Sequence, residues 1–219
     1  MSLPRRPAAV IFDMDGLIFD TERLYRDAMT AAAVTHGGEL PLSVFTSMIG
    51  GTGESTLRIL GEHFGPGFDL DAYMVQTWKH FHEMAEADLA LKAGVTELLD
   101  LLDRRGLPRA IATSSRREIV DHHLGAHDLA GRFDAIVAQG DYVRGKPHPD
   151  PYLEAARRLG IAPELCLALE DSHNGVRAAS SAGMMTIMVP DLLDPTEEME
   201  TLCVRIAHDL HEVCELLAE

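Results

Sequence analysis

The sequence predicts an α/β protein in which a Rossmann-like, doubly wound parallel sheet carries an inserted α-helical domain. Two patterns indicate this fold. Short apolar runs, typical of strands covered on both faces, alternate with amphipathic helical stretches. After the first apolar run this alternation stops, and several helical stretches follow one another without a strand. Because a strand–helix–strand unit needs only one crossover helix, the surplus predicts a separate helical domain.

The strands and helices of the predicted core can be placed in order. Apolar runs predict strands at residues 8–12, 108–112, 133–138, 166–169 and 185–189. A helical period predicts helices at residues 95–105, 117–124, 151–159 and 175–182, and a last one from Asp209. Glycines that favour a left-handed helix end stand at Gly106, Gly125, Gly160 and Gly183.

The inserted helical domain is expected over residues 19–91, which leaves residues 1–18 and 92–219 for the core. Its predicted helices cover residues 22–35, 42–49, 54–63 and 71–87. Linkers are expected near residues 16–21 and 89–94. The acidic tract 191–200 is interpreted as a solvated loop or short helix without a function of its own.

Composition limits the partners and the compartment. Nineteen basic against 35 acidic residues give a net charge of −16, which argues against nucleic acid or an anionic membrane as partner. No stretch approaches the roughly 20 apolar residues that span a bilayer. Cys166, Cys203 and Cys214 lack metal-site spacing and indicate free thiols in a reducing cytoplasm. We expect a cytoplasmic monomer or weak homo-oligomer.

Two aspartates follow the first predicted strand, in the segment Asp13-Met14-Asp15-Gly16. Residues two apart in an extended chain point the same way, so both carboxylates can face one site at the carboxyl edge of the sheet. Carboxylates held close together need a cation between them or a proton on one of them. Asp13 could then be a nucleophile and magnesium ligand, and Asp15 a proton donor. Taken alone, such a segment is common, and an ordinary Asp-Gly turn with solvated carboxylates explains it.

Three later strand ends carry groups suited to the same chemistry. Thr113 and Ser114 precede a helix, where a hydroxyl and free N–H groups can bind phosphate. Lys146 stands in a proline-rich loop that would fix its positive charge. Glu170 and Asp171 offer the oxygen ligands of a hard cation. Each group alone has a structural explanation, such as a helix cap, but their order at successive strand ends favours one site.

These segments resemble the four motifs of the haloacid dehalogenase-like phosphohydrolase superfamily. The matching residues are Asp13, Asp15 and Gly16; Thr113; Lys146; and Glu170 with Asp171. The flanking segments 17–22, 94–99 and 145–150 resemble, more narrowly, its phosphatase and β-phosphoglucomutase-like branch. The similarity runs from Ala8 to the C-terminal helix. The inserted helices stand where that branch has its helical cap domain.

The resemblance implies a magnesium-dependent phosphatase of a small phosphorylated metabolite, such as a sugar phosphate or a phosphoglycolate-like acid. Asp13 is expected to attack phosphorus and form an aspartyl-phosphate, while Asp15 protonates the leaving alkoxide and then deprotonates water. The groups implied to hold the phosphoryl oxygens are Thr113, the N–H of Ser114 and Lys146. The implied Mg²⁺ ligands are Asp13, the main-chain carbonyl of Asp15, Asp171 and, directly or through water, Glu170.

The resemblance is compatible with more than one type of reaction. An acid at position 15 fits an alkoxide leaving group, so C–O–P cleavage is expected. The mutases carry a cap arginine for a second phosphate, whereas the corresponding loop 50–55 has no basic residue and Tyr25 replaces their histidine. Hydrolysis is therefore favoured, and a mutase using Arg58 or Lys79 is the alternative. A non-catalytic phosphate-binding or regulatory module on the same fold is a third hypothesis.

Overall fold

The computed structural model describes residues 3–49 and 53–218, and the chain forms two compact units. The first unit consists of Met1–Phe19 and Leu91–Glu219, and the second of Asp20–Ala90. None of the helices in the described ranges combines the length and the apolar character needed to cross a membrane. Cys166, Cys203 and Cys214 are free thiols.

The second unit is helical. Its helices are α1 (Thr21–Thr35), α2 (Leu42–Thr46), α3 (Gly53–Phe64) and α4 (Leu70–Asp88). Helices α1 and α4 pack through their buried faces, and the Tyr73 hydroxyl donates to the Met29 carbonyl at 3.2 Å. The Asp69 side chain caps α4 by accepting from the Ala72 N–H. In the predicted loop 50–55, residues 50–52 lie outside the described residues.

A six-stranded parallel sheet forms the centre of the first unit, which confirms the predicted Rossmann-like α/β core. Its strands are β1 (Ala9–Phe12), β2 (Arg109–Arg116), β3 (Ala135–Gln139), β4 (Cys166–Glu170), β5 (Met185–Met188) and β6 (Arg205–Ile206). They lie in the order β3-β2-β1-β4-β5-β6, and all neighbours are parallel. The connections therefore change direction between β1 and β4, which is where open parallel sheets bind ligands.

Helices α5 (Val95–Arg105), α6 (Arg117–Ala126), α7 (Asp150–Leu159), α8 (His173–Ser181), α9 (Glu197–Leu202) and α10 (Leu210–Ala218) complete this unit. Gly106 and Gly160 end α5 and α7 in the predicted left-handed conformation, with φ of 59° and 69°. Gly125, by contrast, lies inside α6. Helix α9 begins within the acidic tract 191–200 and is anchored because the side chain of Met199 is fully buried.

Candidate active site

Lys146 lies between two buried carboxylates at the carboxyl edge of the sheet. Its Nζ is 2.5 Å from Asp13 Oδ1 and 2.5 Å from Glu170 Oε1. Asp13 directly follows β1 and Glu170 ends β4, and the Asp13 N–H donates to the Leu169 carbonyl at 3.0 Å. Pairing of these adjacent strands therefore sets the two carboxylates side by side. The lysine comes from the loop between β3 and α7.

The Asp15 carboxylate is held by two hydroxyls at the end of β2. Thr113 Oγ1 donates to Asp15 Oδ2 at 3.2 Å, and Ser115 Oγ donates to the same oxygen at 2.7 Å. Ser115 was not among the predicted site residues, although residues 113 and 115 share one face of an extended strand. The predicted Ser114 is exposed, and the Tyr142 hydroxyl donates to the carbonyl of the neighbouring Thr113 at 3.2 Å.

Three carboxylates form a buried cluster suited to a cation. Oxygen atoms of Asp13, Glu170 and Asp171 all lie within 4.8 Å of one another. Gly16, with φ of +81°, lets the Asp171 carboxylate approach the main chain after β1, because a Cβ built at Gly16 would overlap Asp171 Oδ2. An all-oxygen donor set of this kind suits a hard divalent cation such as Mg²⁺.

The three carboxylates of the cluster carry more negative charge than the neighbouring Lys146 can neutralise. Burial raises the pKa of Asp13 to about 7; Lys146 opposes this shift, while Glu170 and Asp15 add to it. Burial lowers the pKa of Lys146, but the Asp13 and Glu170 carboxylates outweigh that effect and raise the pKa above its usual value. A divalent cation would favour the charged form of Asp13. The residues present therefore fit Mg²⁺.

Glu170 is fixed by hydrogen bonds that sequence reasoning did not predict. The Tyr152 hydroxyl, from α7, donates to Glu170 Oε1 at 2.6 Å. The N–H and hydroxyl of Ser172 donate to Oε2 at 3.3 Å and 3.1 Å. Burial and the neighbouring Glu170 raise the pKa of Tyr152 well above its usual value, which keeps the phenol protonated as a donor. Both oxygens of Glu170 are thus engaged by the protein.

Helix α8 approaches Glu170 so closely that only a glycine fits at position 175. A Cβ built on Gly175 would overlap the carboxylate of Glu170. We expect Gly175→Ala to displace Glu170 and to cost about 1–3 kcal/mol of stability, as overpacking does. Thermal unfolding and Mg²⁺ titration would measure both effects, and we expect weaker Mg²⁺ binding.

Gly125→Ala is the matched control for Gly175→Ala. Gly125 is also helical, but a Cβ built there meets nothing within 4 Å. Alanine is the better helix former by about 1 kcal/mol, so the control should unfold at the same or a higher temperature. If Gly175→Ala behaved like Gly125→Ala in both measurements, the close packing of α8 on Glu170 would be wrong.

Known proteins resemble this chain in sequence and in fold. The family model of haloacid dehalogenase-like hydrolases matches residues 10–189. The chain is 36% identical over 193 residues to the Drosophila melanogaster protein named "Probable pseudouridine-5'-phosphatase", covering 85% of this chain and 83% of that one. It is 34% identical over 206 residues to hexitol phosphatase B of Escherichia coli, covering 87% and 86%. The crystal structure of CbbY from Rhodobacter sphaeroides in complex with phosphate has a TM-score of 0.79 and 28% identity, covering 94% and 96%.

Proposed function

Because this chain belongs to the haloacid dehalogenase-like hydrolase family, we propose that it is a Mg²⁺-dependent phosphatase of small phosphomonoesters. The observation that carries the proposal is the meeting of Lys146 with the carboxylates at the ends of β1 and β4. Two relatives carry the names "Hexitol phosphatase B" and "Probable pseudouridine-5'-phosphatase". A phosphate ester of a polyol or sugar is accordingly the proposed substrate class.

The phosphoryl group is bound by positive charge and hydrogen-bond donors in a protein whose net charge is −16. Lys146, the Thr113 hydroxyl and the N–H of Ser114 are the proposed binding groups. Thr113 is fully buried and the Lys146 side chain is 8% exposed. Charge neutralisation at a site shielded from water is strong, and phosphoryl transfer depends mainly on such positioning and neutralisation.

Asp13 is the proposed nucleophile. One of its oxygens pairs with Lys146, and its other oxygen has no hydrogen bond to any residue in the described ranges. That oxygen forms a bond to phosphorus as the bond from phosphorus to the substrate oxygen breaks, which gives an aspartyl-phosphate. Water then attacks the phosphorus and releases phosphate and the free Asp13 carboxylate.

Asp15 is the proposed acid and base. Its proton passes to the departing alkoxide oxygen in the first step, and Asp15 takes a proton from the attacking water in the second. Ser115 Oγ donates to Asp15 Oδ2 at 2.7 Å and keeps Asp15 oriented when the Thr113 hydroxyl turns its single proton from Oδ2 to a phosphoryl oxygen. The inserted helical unit is the proposed specificity-determining cap domain, with the core at residues 1–18 and 92–219.

The groups proposed to hold Mg²⁺ are Asp13, the Asp15 carbonyl, Asp171 and, directly or through water, Glu170. When bound, the ion supplies Lewis-acid neutralisation of the phosphoryl oxygens. The fit rests on the buried oxygen cluster and on the raised pKa of Asp13.

Phosphate release from a panel of sugar, polyol, nucleoside and glycolate phosphates tests this function. We expect turnover with Mg²⁺, a fall of at least about a hundredfold after chelation, and recovery when Mg²⁺ is returned. Full activity in chelator would contradict the proposed metal requirement. Conversion of β-glucose 1-phosphate to glucose 6-phosphate without phosphate release would establish the mutase alternative. Binding of phosphate analogues without turnover of any ester would establish a non-catalytic module.

A further inference from the structure

Asp191, shortly after β5, has a buried carboxylate oxygen without a partner. Its side chain is only 10% exposed. Oδ1 forms an ion pair with Lys92 Nζ at 2.7 Å, whereas Oδ2 is buried and has no hydrogen bond within the part of the chain that the structure describes. Burying a carboxylate oxygen without a hydrogen bond costs free energy of folding. We therefore expect this oxygen to accept a hydrogen bond from a bound ligand or water.

The unpartnered oxygen lies close to Gly16 and to the Asp171 carboxylate. Asp191 Oδ2 lies 3.5 Å from the point where Gly16 would carry a Cβ, and Asp171 Oδ2 overlaps that same point. The two oxygens therefore lie on the same side of Gly16, where the Asp171 carboxylate occupies the place that a side chain at position 16 would fill. Asp171 belongs to the cluster of cation-ligating oxygens, whereas Asp191 does not. Asp191 thus stands next to the proposed cation site without being one of its direct ligands.

We infer that Asp191 Oδ2 accepts a hydrogen bond from a water molecule coordinated to the bound cation, an inference that rests on the proposed function. Mg²⁺ retains several of its waters in proteins, and these waters need acceptors. Lys92 holds Oδ1 and so directs Oδ2 toward the cation site. The Lys92 N–H donates to the Ile18 carbonyl at 2.9 Å, which anchors this lysine to the segment after β1. Asp191 is in this sense a positioning residue.

Calorimetric titration of Mg²⁺ into the full chain without substrate tests the inference. We expect Asp191→Asn to raise the Mg²⁺ Kd by about tenfold, the scale at which outer-shell partners affect metal affinity. The amide can still accept from Lys92 through its oxygen, but its NH₂ group cannot accept from a coordinated water. Asp194→Asn is the matched control, because it makes the same charge change at an exposed position of the same loop. Its Kd should stay within twofold of the parent value.

Lys92→Gln separates this role from a purely structural ion pair. The introduced amide can still donate to Asp191 Oδ1, and one positive charge near the cation site is gone, so the Mg²⁺ Kd should stay unchanged or fall. If the pair served stability alone, Asp191→Asn and Lys92→Gln would lower the unfolding temperature alike and leave the Kd unchanged, which overturns the inference. A different result would contradict this inference alone: the parent chain binds Mg²⁺, Asp171→Asn no longer binds it, and Asp191→Asn binds it as tightly as the parent. The proposed metal site would then stand. Absence of Mg²⁺ binding in the parent chain would overturn it together with the proposed metal site.

Discussion

Replacing Asp13 by asparagine is expected to lower phosphate release by at least about 10⁴-fold, the range in which enzymes lose activity without their nucleophile. An amide oxygen is a poor nucleophile, and it no longer provides the charge that a hard cation prefers. The side chain keeps its volume, and Lys146 remains paired with Glu170 after the substitution. We therefore expect Asp13→Asn to fold.

Rapid quenching with ³²P-labelled substrate gives a direct measure of the covalent step. Radioactivity should stay with the parent chain after denaturation in acid and should be absent from Asp13→Asn. Asp100→Asn is the control, since Asp100 is half exposed and pairs with Arg132 at 2.9 Å. Its turnover should stay within twofold. More than a tenth of the parent activity in a folded Asp13→Asn chain would require a different nucleophile.

The fold could be predicted because its strands are covered on both faces. All residues of β1, β4 and β5 are buried, so each strand had to be an apolar run in the sequence. Strand β6 was missed, since Arg205–Ile206 is too short for any periodic pattern and one of its two residues is exposed. The predicted helix 95–105 matches α5 because glycines with positive φ flank it on both sides.

The residues that meet at the candidate site could be predicted because they stand at strand ends or in the loops that follow them, which parallel pairing brings to one edge of the sheet. The groups that hold them could not. Tyr152 lies on the buried face of α7 and has the sequence context of an ordinary core residue, yet its hydroxyl reaches Glu170. Asp191 appeared as part of a solvated acidic tract, whereas its side chain is buried against Lys92. Such contacts depend on side-chain packing between elements distant in sequence.

Replacing Lys146 by methionine is expected to cost about 3–5 kcal/mol of stability in buffer without divalent cations. Within the described residues, Lys146 is the only cation that forms an ion pair with Asp13 or Glu170. Removing it leaves two carboxylates, with side chains 8% and 0% exposed, without a counter-charge. For a chain of this length the loss corresponds to a fall of roughly 10 °C in unfolding temperature. Lys79→Met, at an exposed position, should change stability by no more than about 0.5 kcal/mol.

Two further measurements show whether charge causes this loss. A cation that binds only the folded chain stabilises it by about 2.7 kcal/mol at a hundredfold excess over Kd, so Mg²⁺ should restore much of the stability of Lys146→Met. The double variant Asp13→Asn with Lys146→Met should be more stable than Lys146→Met alone, because one of the two uncompensated charges is gone. If the double variant instead lost the sum of both single effects, packing of the lysine stem rather than ion pairing would hold this site together. Equal stability of Lys146→Met and the parent chain would mean that the Asp13–Lys146–Glu170 contact contributes nothing to the fold.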